Sequence, residues 1–192
     1  MGVTQIEFAA ALLVLINIAL VAKRSVWNYP FGIAAVTLYG FVFLKTKLYS
    51  DTLLQGFFLV LNIYGWVNWR RSRAQTGELA VLTLGWRSRA WGLVGCGLAV
   101  WVWGAMMHRL TDAAAPWWDA GVAITSVAAQ WLLSRRYIEN WVLWIAVDAV
   151  AVPLFATRGL WLTSAVYIVL LGLSIWGAID WHRARRAHRA GA

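Results

Sequence analysis

The segment 65–73, Gly-Trp-Val-Asn-Trp-Arg-Arg-Ser-Arg, has a counterpart near the other end of the chain in 177–185, Gly-Ala-Ile-Asp-Trp-His-Arg-Ala-Arg. Both follow the pattern Gly-x-x-x-Trp-x-Arg-x-Arg, and a shift of 112 residues superposes 25–73 on 137–185 without a gap. Twelve of the forty-nine aligned positions are identical. Apolar residues often match by chance, but a shared spacing of Gly, Trp and Arg is harder to obtain that way. We therefore interpret the chain as two copies of one unit.

Each copy is made of hydrophobic stretches long enough to cross a membrane. The 192 residues are 61% hydrophobic and 13% charged, with a mean hydropathy of +0.64, and a soluble domain of this size cannot bury so much apolar surface. A transmembrane helix needs about 20 apolar residues, with a range of about 17 to 25. Seven stretches qualify, at 6–22, 26–44, 48–69, 90–108, 117–134, 137–156 and 160–181. The sequence predicts an all-α integral membrane protein.

The order of these helices predicts a single transporter domain in which one extra helix connects two repeats. Repeat one covers about 6–69, a linker and inverter helix about 70–108, repeat two about 117–181, and a basic cytoplasmic tail 182–192. A unit of three helices would insert upside down in its second copy unless one extra helix intervened. Helix four is that helix, so the repeats are parallel, as in transporters whose site lies between the halves. A duplicated, purely structural membrane protein is the alternative.

The basic residues predict the orientation. With the N-terminus outside, thirteen of the seventeen Lys and Arg lie on the cytoplasmic side, leaving Lys45, Lys47, Arg109 and Arg158 opposite. This bias follows the positive-inside rule and predicts a cytoplasmic C-terminus. The net charge of +9 is spread over the ends of apolar stretches rather than over one basic face, which argues against nucleic-acid binding.

Tryptophan, cysteine and histidine suggest no chemistry of their own. Seven of the fifteen tryptophans fall near span ends, where we expect aromatic belts: Trp27, Trp69, Trp91, Trp117, Trp118, Trp161 and Trp181. Cys96 is the single cysteine, and the three histidines lack ligand spacing, so neither a metal nor another cofactor is expected.

The sixth helix carries polar residues that lipid should exclude. Its start reads Glu-Asn-Trp-Val-Leu-Trp-Ile-Ala-Val-Asp over 139–148, which places Asn140, Trp144 and Asp148 at i, i+4 and i+8 on one face. An aspartate at mid-membrane costs about 2.5–3.5 kcal/mol, so it should face protein or a water-filled cavity. This stripe suits a flat heteroaromatic ligand with hydroxyls, and the carboxylate favours a cation. The alternative is a buried Asp that neighbouring hydroxyls satisfy while it packs two helices together.

Two other helices supply candidate walls for the same cavity. In helix three, Gln55 and Asn62 share a face, and Trp66 follows one turn later. The 112-residue shift pairs Gln55 and Asn62 with Tyr167 and Ser174 of helix seven, and Thr163 lies one turn from Tyr167 on the same face. We expect the two faces to line one cavity, with plain helix packing as the alternative.

The segments 62–69, 27–33 and 138–148 resemble the PnuC family of bacterial nicotinamide riboside transporters. The resemblance extends over nearly the whole chain and implies a three-plus-one-plus-three arrangement similar to that of SWEET transporters. It implies that Asn140 and Trp144 hold the ligand, that transport is facilitated diffusion, and that a cytoplasmic kinase traps the substrate. Relatives that carry thiamine, riboflavin or deoxynucleosides leave the substrate open.

Other function classes fit less well. The chain has neither a nucleotide-binding Gly-x-x-x-x-Gly-Lys-Ser/Thr loop nor a His-Glu-x-x-His or Gly-x-Ser-x-Gly motif, so we expect no enzyme. A retinal protein needs a lysine in its last span, and 160–181 has none. A membrane scaffold protein is a further alternative, and a homo-oligomer is possible in either case.

Overall fold

The described part of the chain is helical almost throughout. The computed structural model describes residues 3–47, 49–77, 79–110, 115–157, 159 and 161–190. These form seven helices: α1 Val3–Ala22, α2 Asn28–Lys45, α3 Tyr49–Thr76, α4 Trp86–Leu110, α5 Pro116–Ser134, α6 Glu139–Thr157 and α7 Trp161–Ala190. The predicted all-α fold is confirmed for these residues, and each predicted span falls on a helix.

Some of these helices differ in extent from the stretches that are apolar enough to cross a membrane. By length and hydropathy, four stretches of the described residues could cross a membrane, namely Gln5–Ala22, Trp86–Arg109, Glu139–Thr157 and Thr163–Ala187. Helices α3 and α7 run on past the predicted span ends, to Thr76 and Ala190. Arg and Ala are good helix formers, so a helix continues into water where hydropathy no longer supports a span. Residues 182–190 of the predicted basic tail therefore extend α7.

The helices pack as a ring. Following contacts around the bundle, α1 packs on α2, α2 on α3, α3 on α5, α5 on α6, α6 on α7, and α7 returns to α1. Among the described residues, α4 packs along α5 and also contacts the start of α6 through the ion pair of Arg89 with Glu139. We call α1–α3 the first half and α5–α7 the second half. The two halves meet along two interfaces, α1 with α7 and α3 with α5.

The buried aromatic core lies at one end of this ring. Tyr29, Trp69, Trp141 and Trp181 are at most 1% exposed and belong to one apolar cluster with residues such as Val21 and Leu133. Since arginines follow Trp69 and Trp181 directly or after one residue, we call this the arginine-rich end. The aromatic-belt prediction is wrong for Trp69 and Trp181. It agrees with the exposure of five others, Trp27, Trp91, Trp117, Trp118 and Trp161.

The linker between α3 and α4 crosses the arginine-rich end. The Leu82 backbone N–H donates to the Arg136 carbonyl at 2.9 Å, and Ile138 N–H donates back to the Leu82 carbonyl at 3.0 Å. The Glu139 carboxylate accepts hydrogen bonds from the Leu84 N–H at 3.1 Å and from Arg89 at 2.6 Å. Glu139, part of the motif at the start of α6, thus attaches the linker and the first turn of α4 to the second half.

Candidate substrate-binding site

The polar stripe of α6 faces the protein interior. Asn140 in the first turn is fully buried, Asp148 is 4% exposed, and Trp144 between them is partly buried. Neighbours on the other side of the helix are exposed, among them Val142 and Ala146. The i, i+4, i+8 spacing therefore identified the inward face of this helix.

Asp148 is held by a hydroxyl from the neighbouring helix. Ser174 Oγ of α7 donates to Asp148 Oδ2 at 2.9 Å, and both residues are buried. Among the described residues, Asp148 is the only buried carboxylate. The contact matches the alternative interpretation of this residue, a buried Asp that a hydroxyl satisfies. One hydroxyl donates one hydrogen bond, however, and an ionised carboxylate can accept about four. Asp148 keeps acceptor capacity for a ligand.

Of the two polar groups in the Asn140 side chain, one makes a hydrogen bond and the other does not. Its Nδ2 donates to the Tyr137 carbonyl at 2.7 Å, and its Oδ1 is buried without a hydrogen-bond partner. Asn28 at the start of α2 repeats this arrangement, since its Nδ2 donates to the Ser25 carbonyl at 2.6 Å and its Oδ1 also lacks a partner. Buried polar atoms without a partner are uncommon and call for an explanation. In both asparagines the side-chain Nδ2 bonds within the local turn, while the side-chain oxygen remains available to accept a hydrogen bond.

The candidate residues of α3 contact α2 and the aromatic cluster. Asn62 is 4% exposed, and its Nδ2 donates to the Phe58 carbonyl of its own helix at 2.8 Å. A side-chain carbon at Gly32 of α2 would lie 2.8 Å from Asn62 Oδ1, so the two helices touch there. A side-chain carbon at Gly40 of α2 would lie 3.6 Å from Gln55 Cβ, an ordinary contact distance, and Trp66 packs against the aromatic cluster.

The candidate residues of α7 are only partly buried. Thr163 and Tyr167 share this intermediate exposure, and the Tyr167 ring stacks on Phe155 of α6 at 5.2 Å. The Tyr167 side chain therefore contacts α6 of its own half.

Sequence analysis missed Asn17 of α1. Its Nδ2 donates to the Asn28 carbonyl at 2.7 Å and lies 2.8 Å from the position that a side-chain carbon at Gly32 would take. Asn17 and Asn62 thus flank Gly32 from two helices. A single amide inside the apolar run of α1 was the available signal, because polar side chains within a membrane helix usually contact another helix.

A cavity elsewhere in the molecule does not involve these residues. A groove of about 400 Å³ lies between α3, α4 and α5, and its lining is apolar, from Phe57 and Val60 to Cys96 and Trp131. None of the eight predicted site residues lines it. The groove lacks the polar groups that fix the orientation of a small polar ligand.

Comparison with known proteins places the chain in a family of transporters. A family model described as nicotinamide mononucleotide transporter matches residues 4–183. The nicotinamide riboside transporter PnuC of Escherichia coli K12 is 32% identical over 208 aligned residues, which cover 94% of this chain and 86% of the relative. The chain belongs to the PnuC family. Family membership confirms the resemblance found in the motif at 138–148.

Two further relatives show how far the PnuC fold and its range of substrates extend. The crystal structure of the vitamin B3 transporter PnuC matches with a TM-score of 0.80 at 26% identity, covering 96% of this chain and 83% of that one. The riboflavin/roseoflavin transporter RibM of Streptomyces davaonensis is 28% identical, covering 95% of this chain and 87% of the relative. The family is one of membrane transporters, and its members differ in what they carry.

Proposed function

We propose that the protein carries nicotinamide riboside across the bacterial inner membrane by facilitated diffusion and so supplies NAD synthesis. The similarity to the Escherichia coli nicotinamide riboside transporter over 94% of the chain is the observation that carries this proposal. A uniporter only equilibrates its substrate. Net uptake would then depend on a cytoplasmic kinase that phosphorylates the riboside and keeps the free concentration inside low.

The proposed site lies on the inward face of α6. The nicotinamide ring of the substrate is flat and positively charged, and its ribose carries hydroxyl groups. We assign stacking on the ring to Trp144, acceptance of a substrate hydrogen bond to Asn140 Oδ1, and charge balance to Asp148. The buried carboxylate and the unpartnered buried oxygen support these roles. The remaining walls would come from α3 and α7 through Gln55, Asn62, Trp66, Thr163 and Tyr167.

The two halves are proposed to be structural repeats. Contacts related by the 112-residue shift support this, beginning with Asn28 and Asn140, which make the same bond to the residue three positions earlier. Arg24 and Arg136 have positive φ angles of 54° and 66° just after α1 and α5. Such angles are uncommon outside glycine, so their occurrence at equivalent positions supports a common origin of the turns.

The inverter role of α4 and the seven-span topology belong to the same proposal. The position of α4 outside the ring, packed along α5, is what a connecting helix would adopt. Equivalent helices of the two three-helix repeats then cross the membrane in the same direction. The N-terminus of the chain lies outside and the C-terminus lies in the cytoplasm. The excess of Lys and Arg at one end supports that orientation.

Riboflavin is the alternative substrate, because RibM is also a relative. Riboflavin carries no positive charge, and a buried carboxylate such as Asp148 favours a cation. The test is uptake of radiolabelled nicotinamide riboside by a bacterial strain without its own transporter, in competition with unlabelled riboside or riboflavin. We expect saturable uptake that excess riboside abolishes and riboflavin leaves largely intact. Uptake of labelled riboflavin without uptake of the riboside would establish the alternative.

A further inference from the structure

The two halves are joined at the arginine-rich end by a matched pair of hydrogen bonds. Trp69 Nε1 of α3 donates to the Leu133 carbonyl of α5 at 3.1 Å. Trp181 Nε1 of α7 donates to the Val21 carbonyl of α1, also at 3.1 Å. Each bond crosses one of the two interfaces between the halves, and both partners are related by the 112-residue shift. Both acceptors are main-chain oxygens, so they move only when a helix moves.

Four aromatic rings form a continuous chain between these bonds. Tyr29 meets Trp69 edge-on at 5.3 Å, Trp69 contacts Trp181 at 5.9 Å, and Trp181 meets Trp141 edge-on at 5.7 Å. The first two rings belong to the first half and the last two to the second. The central contact of Trp69 with Trp181 therefore crosses from one half to the other, and the chain fills the space between the halves at this depth.

Other contacts at the same end strengthen each interface. Asn68 Nδ2 donates to the Ser134 carbonyl at 2.8 Å across α3 and α5, while Arg24 and Asp180 form an ion pair across α1 and α7. Leu79 and Val81 of the linker pack against the aromatic cluster. The nearly fully buried side chains of Trp69 and Trp181 thus lie at the two interfaces of this end.

We propose that Trp69 and Trp181 form the gate that closes the substrate path toward the cytoplasm, an inference that rests on the orientation proposed above. Opening would separate α3 from α5 and α7 from α1, break both indole hydrogen bonds and part the two indole rings. Since each indole belongs to one half and its acceptor to the other, the pair responds to relative motion of the halves rather than to motion within either.

Two buried polar atoms destabilise the closed gate and so offset part of its stabilisation by hydrogen bonds. Tyr29 Oη and Trp141 Nε1 are buried without hydrogen-bond partners, and they occupy equivalent positions in the two halves. A buried polar atom without a partner loses its hydration and gains nothing in return. Water entering an open gate would restore that hydration, which opposes the stabilisation from the Trp69 and Trp181 bonds. A transporter needs such a balance, since the gate must open and close repeatedly.

The test measures access to a cysteine placed beyond the gate. Ser174→Cys in a Cys96→Ala background puts one thiol at a buried position of α7, two turns from Trp181. A membrane-impermeant maleimide is applied to inside-out vesicles and, separately, to intact spheroplasts. Trp69→Phe and Trp181→Phe remove the indole N–H and keep an aromatic ring. Trp27→Phe is the matched control, since Trp27 lies at the same end and is 69% exposed.

We expect each gate variant to raise the labelling rate in inside-out vesicles, and the double variant to raise it at least about tenfold, a shift of 1.4 kcal/mol in the opening equilibrium. Trp27→Phe should leave the rate unchanged. Equal rates with and without the gate substitutions, or an equal rise in the Trp27 control, would overturn the proposal. If the double variant fails to reach the membrane, the labelling rates of the two single variants test the proposal.

The same assay separates this inference from the proposed function. Labelling requires no substrate, so its outcome is independent of which compound is carried. A rise confined to spheroplasts would support a gate at this end and overturn the orientation instead. A rise of equal size in both preparations would mean general loosening of the bundle and would count against the gate.

Discussion

At the scale of single residues, Asn28 and Asn140 provide an internal control for the proposed site. Both amides make the same local hydrogen bond and leave the same oxygen unpartnered, but only Asn140 shares a face with Trp144 and Asp148. We expect Asn28→Ala and Asn140→Ala to lose similar stability, about 0.5–1.5 kcal/mol for the bond. Only Asn140→Ala should also weaken nicotinamide riboside binding, by about tenfold. Calorimetric titration and thermal unfolding measure the two effects, and equal affinity losses would assign both asparagines to folding alone.

Trp144 should contribute a stacked ring. Trp144→Ala removes that contact, which is worth about 0.5–1.5 kcal/mol beyond area burial, so the riboside Kd should rise about tenfold. Trp161→Ala is the control, because Trp161 is 71% exposed at the start of α7 and should leave the Kd unchanged. The measurement is titration of purified protein. Unchanged binding in Trp144→Ala would place the site elsewhere.

Asp148 should set the preference for a positive charge. Asp148→Asn keeps the shape of the side chain and an oxygen that can accept from Ser174, but it removes the charge. We expect the Kd for nicotinamide riboside to rise at least about tenfold, since a charge pair even in a polar protein environment is worth a few kcal/mol at 4 Å. The reduced riboside, whose ring is uncharged, should bind both proteins alike. A proportional loss for both forms of the riboside would show that Asp148 has only a packing role.

At the scale of helices, two glycines determine how closely α3 approaches α2 and α7 approaches α6. A side-chain carbon at Gly65 would lie 2.5 Å from Tyr29 Oη, and one at Gly177 would collide with the Trp141 ring. We expect Gly65→Ala and Gly177→Ala to lower the free energy of unfolding by about 1–3 kcal/mol through overpacking. Gly56→Ala and Gly172→Ala are matched controls in the same helices with open space around them, and they should raise stability slightly. Thermal unfolding in detergent measures this, and similar changes at all four sites would refute the close contacts.

The positions of the helices could be predicted from sequence, and their ends and contacts less so. Hydropathy located every helix because membrane thickness sets a length that apolar runs must match. Hydropathy did not predict that α3 and α7 continue to Thr76 and Ala190, because a helix outside the membrane does not have to be made of apolar residues. Glu139 stood out as part of a motif, yet its bonds to Leu84 and Arg89 depend on a linker path that no local pattern encodes.

The candidate site was predictable in part for a similar reason. A carboxylate in an apolar span has few tolerable surroundings, so Asp148 could be placed inside the protein from sequence alone. Trp69 and Trp181 were misplaced in the aromatic belt, because a tryptophan near a span end fits both a lipid headgroup and a buried contact. Only the packing of α3 on α5 and α7 on α1 separates these cases.

At the scale of the whole molecule, the ring of six helices gives the protein two halves that meet along two interfaces. Such an arrangement allows the halves to rock about a site between them, which requires no nucleotide or covalent step. The bonds at the arginine-rich end would close one side of that site, and motion of the halves would open it. Under the proposed function, the molecule as a whole would act as a carrier that equilibrates its substrate.

The most direct measurement is uptake of radiolabelled nicotinamide riboside into liposomes that contain the purified protein and no energy source. We expect saturable entry that stops when the internal and external concentrations are equal, with the same final level whether or not a pH gradient or ATP is present. Trp144→Ala should slow entry at low substrate without changing the final level. Accumulation above the external concentration on imposing a proton gradient, or no entry beyond that of protein-free liposomes, would contradict transport by facilitated diffusion.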